Sequence, residues 1–126
     1  MKIIETLKAP NPIGPYSQGI VHQGMLYSSG QGPLDPKTNI IPDNIRSQAE
    51  LTCRNIEAIL IAGNSNFSKV IKTTCFLRDM ADFKVFNEIY AKYFVSKPAR
   101  SCIAVKDLPK GFLCEIEVVA ISDSIS

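Results

Sequence analysis

Arg100 and Glu115 are the residues with the most chemistry to offer. Arg100 follows Pro98 and stands at the threshold of a short apolar run, Ser101-Cys102-Ile103-Ala104-Val105. Such a run reads as a strand, which puts Arg100 and Cys102 on one face of it. A guanidinium at the mouth of a strand can hold a carboxylate through two parallel hydrogen bonds. It can equally be a structural ion pair or a solvated rim charge. Glu115 alternates with Glu117 on one face of the run Leu113 to Ile121. It reads either as part of a solvated face or as a general base. In the second case partial burial lifts its pKa toward neutrality and lets it hold a water. Tyr16, on a stiff Pro-Gly segment, is a core aromatic or a cleft wall. Gly30 is a turn glycine, or a position whose unobstructed N–H faces a small anion. Together these residues would suit an easily hydrolysed small carboxylate, where the tasks are positioning and the placing of one water.

Other chemistries find little support. Ser17, Ser28 and Ser29 lie near His22, the only histidine, but there is no Gly-x-Ser-x-Gly elbow and no acid placed to orient the ring. A cysteine nucleophile would have the same lone base. Cys53, Cys75, Cys102 and Cys114 have no metal-ligand spacing, which excludes an ordinary zinc site; they read as buried reduced thiols of a cytoplasmic protein, with organelle import left open. A net charge of +2 without a Lys/Arg cluster argues against nucleic acid. The longest apolar run, Ala58 to Ala62, is far too short for a membrane span, and residues 1–10 lack the apolar stretch of a secretory signal.

The elements that must position these residues follow from pattern. At 126 residues the chain fits one domain, residues 1–126. Residues 7–16, rich in Pro and Gly, are extended and stiff. Gln18–His22 and Met25–Ser29 form a hairpin around Gln23-Gly24. Ser29 to Pro36 is a loop with exposed backbone. Asp43-Asn44 caps a helix whose stripe is Ile45, Ala49, Cys53, Ile56 and Leu60, ending at Gly63. Lys69–Leu77 is a central strand. Asp82 opens a second helix with Phe83, Phe86, Tyr90 and Phe94 on one stripe. Strands Ser101–Val105 and Leu113–Ile121 follow, separated by a turn at residues 107–111. A polar tail from Asp123 should fray. The order predicts an α+β domain: a two-layer mixed β-sheet with two helices on one face. On the last strand Cys114, Ile116, Val118 and Ala120 form a core face. The opposite face, with Leu113, Glu115, Glu117, Val119 and Ile121, is half apolar and open, which predicts a symmetric homo-oligomer with sites between subunits.

Five short blocks in order carry a resemblance over nearly the whole chain, Ala9 to Ala120. They are Gly14-Pro15-Tyr16-Ser17-Gln18, Ser29-Gly30-Gln31, Pro98-Ala99-Arg100-Ser101, Leu108-Pro109-Lys110-Gly111 and Glu115-Ile116-Glu117. The chain resembles the reactive intermediate deaminase (Rid) family, the enamine/imine deaminases once described as ribonucleases and translation inhibitors. The resemblance implies a chorismate-mutase-like fold and a homotrimer with three clefts between subunits. It implies hydrolysis of 2-aminoacrylate and related imines to 2-keto acids and ammonia without a cofactor, which protects pyridoxal-phosphate enzymes. By this resemblance Arg100 holds the substrate carboxylate, and the backbone amides of Gly30 and Cys102 assist. Glu115 positions the water, Tyr16 lines the cleft, and Asn87 is a polar residue near it. Ser29 joins the expected substrate contacts. Endoribonuclease activity, or a non-enzymatic trimer that binds small carboxylates or protects client proteins, are the alternatives. Two positions depart from the family pattern. Gly32 stands where a larger apolar residue is frequent, and is expected to loosen the loop. Cys114 replaces a β-branched residue and should be nearly neutral.

Overall fold

Asn44 starts the first helix: its backbone is extended and its side-chain oxygen accepts from the Ser47 N–H. A cap of this kind satisfies one of the orphan donors of the first turn. Helix α1 (Ile45–Ala62) buries Ala49, Cys53, Ile56, Ile59 and Leu60 along one stripe. It stops at Gly63, where a Cβ would run into the side chains of Leu26 and Ile4. Close approach of helix to sheet is what requires glycine there. The reversal itself falls to Asn64, at φ 58°. The computed structural model of the protein describes residues 1–124.

Six strands make one sheet in the order β1-β2-β3-β6-β4-β5. They are β1 (Lys2–Ile4), β2 (Gly19–His22), β3 (Met25–Ser28), β4 (Val70–Leu77), β5 (Ala99–Ala104) and β6 (Cys114–Ile121). All neighbours are antiparallel except β4 and β5, which are parallel and joined through helix α2 (Phe83–Tyr93). A parallel pair needs such a crossover. Both helices lie on one face, over Val21, Leu26, Cys75, Leu77, Cys114, Ile116, Val118 and Ala120. The mixed sheet with its two helices is the predicted α+β architecture. Tyr27 and Ile103, each 49% exposed, mark the uncovered face together with Phe76, Glu115, Glu117 and Val119.

Several boundaries differ from the sequence reading. β1 was not legible: three residues between charges carry no periodicity. It forms because β2 offers a free edge, pairing Ile4 with Gly19 and burying Ile4. β5 begins at Ala99, because the parallel register extends to Lys72↔Ala99 and Thr73↔Arg100; Arg100 therefore lies inside the strand. β6 begins at Cys114, since the Leu113 N–H goes to Gln48 Oε1 of α1 and not to a strand. Lys69 belongs to a 3₁₀ turn before β4, and a bulge at Ile71 separates the Val70↔Ala120 and Lys72↔Val119 pairs. Asp82 makes no cap bond. Asp79 caps a 3₁₀ turn over Met80–Asp82 that runs into α2, so the first donors are met one turn earlier. The expected fraying of the tail fails at Asp123, whose N–H donates to Asn64 O and whose carboxylate pairs with Lys69. Residues 125–126 of that expectation lie outside the described residues.

Candidate active site

Arg100 leaves β5 on the helix side of the sheet, half-buried beneath α2. Its Nη1 donates to Asn87 Oδ1 at 2.7 Å. Its guanidinium carbon lies 4.7 Å from the centroid of the Tyr90 ring and 5.6 Å from that of Phe83. Helical spacing makes this possible, since residues 83, 87 and 90 line one face of α2. Among the described residues no carboxylate pairs with Arg100. A half-buried cation held by π faces and one amide oxygen keeps donors to offer to an anion.

Cys102, two residues on, shares this face. It is half-buried, unlike Cys53, Cys75 and Cys114, so the expectation of four buried thiols holds for three. The edge position of β5 leaves Cys102 covered less completely than the interior strands. Burial raises its pKa, partly offset by the Arg100 charge; burial pushes Cys75 and Cys114 up to about 12. Thiols this reluctant to ionise are poor nucleophiles. Cys114 lies on the core face of β6 as expected and is fully buried.

Glu115 stands on the other face. It is half-buried, and burial first, with the Glu117 charge second, raises its carboxyl above the usual range. Gly30 sits directly against it: a Cβ there would collide with the carboxylate and lie 3.0 Å from its Cδ. Among the described residues the exposed Gly30 N–H has no hydrogen-bond partner. Tyr16 is 49% exposed and lines the same recess as Gly30, Phe112 and Glu115, so it is a wall and not a core aromatic. His22 is exposed beside the hairpin turn.

A single chain thus assembles two groups, Arg100 with Asn87 and Cys102, and Glu115 with Gly30 and Tyr16. It does not bring them together: the registers Thr73↔Arg100 and Phe76↔Glu115 place them on opposite faces. Ser29 is anchored on the segment before β2. Its N–H donates to Gln18 O and its hydroxyl to Ser17 O, tying down the Pro-Gly segment.

The loop near Gly32 is tight, contrary to expectation. Gly32 is buried, and a Cβ there would strike the Phe112 ring. Its carbonyl accepts from Asn55 Nδ2, which also donates to Leu34 O. The missing side chain is filled by Phe112, which turns up from the loop before β6. Asn55 and Gln18 are positioning residues that sequence reasoning missed. Gln18 is 2% exposed, accepts from the Thr6 N–H, and donates from Nε2 toward the carbonyls of Thr6, Ala9 and Pro10. A polar residue interrupting an apolar helix stripe, as Asn55 does beside Ile56 and Ile59, was the available signal.

Residues 6–122 match the family model for endoribonuclease L-PSP. The chain belongs to that family, the Rid family of the sequence resemblance. It is 53% identical over 122 residues to AldR of Lactococcus lactis, described as a candidate regulator, covering 95% of this chain and 97% of that one. It is 42% identical over 124 residues to TdcF of Escherichia coli K12, described as a candidate reactive intermediate deaminase, covering 95% and 96%. The crystal structure of E. coli TdcF with bound serine superposes with a TM-score of 0.94 at 41% identity, covering 98% of this chain and all of that one. The Rid fold is the chorismate-mutase-like α+β arrangement described above.

Proposed function

We propose that this protein hydrolyses 2-imino acids and their enamine tautomers, 2-aminoacrylate and 2-iminobutanoate among them, to 2-keto acids and ammonia. Pyridoxal-phosphate enzymes that release such intermediates are protected by their removal. The observation that carries the reading is Arg100: half-buried, fixed by Asn87 and two rings, and without a carboxylate partner among the described residues. It binds the substrate carboxylate. Glu115 takes a proton from a water as that water's oxygen adds to the C=N carbon. That proton passes to nitrogen to complete a carbinolamine; Glu115 then carries the hydroxyl's remaining proton to the amino group, the C–N bond breaks, and ammonia leaves as the C–O bond becomes the carbonyl. The Gly30 N–H and the backbone of Cys102 line this path, and Tyr16 closes it.

Opposite-face placement of Arg100 and Glu115 supports a site shared between copies. In this reading the half-apolar open face packs against its equivalents in a homotrimer, and Arg100 of one protomer meets Glu115 of the next. The protein works in the cytoplasm, where its thiols stay reduced.

The test couples an amino-acid oxidase to imine formation and follows keto-acid release. Removing one charge-assisted partner costs about 1.5–3 kcal/mol, roughly tenfold to a hundredfold or more. Purified Arg100→Ala should stay folded and lose activity on that scale. An unchanged rate would sink the assignment.

A further inference from the structure

Arg100 is not held by its own strand alone. We propose that Tyr90 is a positioning residue of the carboxylate site, one that fixes the plane of the Arg100 guanidinium and thereby sets substrate affinity. This deepens the deaminase reading and rests on it.

Three observations converge on Tyr90. Its ring lies under the guanidinium, with the carbon 4.7 Å from the centroid, the closer of the two aromatic contacts. The ring cannot tip away, because Phe94 stacks on it at 4.2 Å between centroids and 18° between planes. Nor can it slide, because its hydroxyl and that of the fully buried Thr73 are 2.7 Å apart. Thr73 is the β4 residue in direct register with Arg100. The strand that carries Arg100 is therefore keyed to the helix residue that orients it.

The chemistry explains why an aromatic face is used. A carboxylate on Tyr90's side of Arg100 would neutralise it and compete with the substrate. A π face attracts the cation without occupying its hydrogen-bonding edge. Burial pushes the Tyr90 phenol up to about 12, so the ring stays uncharged at any pH at which the enzyme would work. Asn87 takes one N–H of the fork, and the π face leaves the remaining donors to meet a carboxylate. An arginine whose plane is set beforehand loses less entropy when a carboxylate arrives.

Steady-state kinetics on wild type, Tyr90→Leu and Tyr90→Phe separate this role from a structural one. Tyr90→Leu removes the face and should raise KM about tenfold while kcat changes little. Tyr90→Phe keeps the face and should restore KM to within about threefold of wild type. A parallel titration with 2-oxobutanoate should show the same order of affinities. A merely structural role would lower the active fraction, and so kcat, with KM unmoved; that result overturns the proposal. So does a Tyr90→Leu protein with wild-type KM. Should Tyr90→Leu not fold, Tyr90→Met, which fills the space against Phe94 without a ring, carries the same comparison. Wild-type protein that neither turns over imine nor binds 2-oxobutanoate would defeat the deaminase reading and the proposal together. A normal KM in the leucine or methionine variant defeats the proposal alone.

Discussion

Arg100 and Glu115 project from opposite faces of one sheet, paired in register to Thr73 and Phe76 of the same central strand. Adjacent β positions alternate in direction, so no side-chain rotation in a single chain can bring the two together. A reaction that needs both groups then needs two copies.

Subunit mixing should expose that dependence directly. Arg100→Ala and Glu115→Ala proteins are each expected to be nearly inactive. Unfolded together in equal amounts and refolded, they should regain about a quarter of wild-type turnover, the share of interfaces that pair an intact Arg100 with an intact Glu115. Sedimentation of the mixture should show a trimer. A mixture as inactive as its parts would place the whole site within one chain.

Glu115 should titrate above an ordinary glutamate, because burial and the Glu117 charge both disfavour its anion. Activity that needs the carboxylate should therefore fall on acidification with an inflection above the usual carboxyl range. Glu117→Gln should move that inflection down. A kcat/KM profile against pH measures both.

Stability runs the other way at this residue. The folded chain binds the Glu115 proton more tightly than the unfolded chain does. Its contribution is favourable at low pH and fades as pH rises from the unfolded to the raised folded pKa. Glu115→Gln should consequently have a Tm at neutral pH no lower than wild type, while losing about a hundredfold or more in kcat. A clear fall in Tm would contradict the burial effect.

Gly32 and Phe112 should behave as a coupled pair. A valine at 32 collides with the Phe112 ring in a buried loop, and overpacking of this kind costs about 1–3 kcal/mol. Phe112→Ala makes room, so the double variant should be more stable than the sum of the single effects, by about 0.5–3 kcal/mol. A urea-unfolding double-mutant cycle reads that coupling.

Gln18→Leu tests the anchoring of the Pro-Gly segment. It strands the N–H of Thr6 and the carbonyls of Thr6, Ala9 and Pro10, for a loss of about 1–3 kcal/mol. Tyr16, two residues away, should lose its fixed place, and KM should rise. Amide exchange at Thr6 should quicken in step with that rise.

Much of this molecule was written locally. The spacing of Ile45, Ala49, Cys53, Ile56 and Leu60 announced α1, and the alternation of Cys114, Ile116, Val118 and Ala120 announced both β6 and the face it buries. Each depends only on a helix or strand period and on which residues avoid water, properties that one segment carries by itself. The types at Arg100 and Glu115 likewise limited the chemistry to anion binding and proton transfer. Tertiary structure decided what no segment could. The edge strand at Lys2–Ile4 exists only because β2 has an open side. Gly32 is tight because Phe112, eighty positions on, fills its place. The Tyr90 contact with Arg100 needs α2 laid across β5, and the separation of Arg100 from Glu115 follows from the registers of β5 and β6 on β4. Long-range contacts depend on the closure of the whole sheet, and a sequence period encodes only its own turn or pleat.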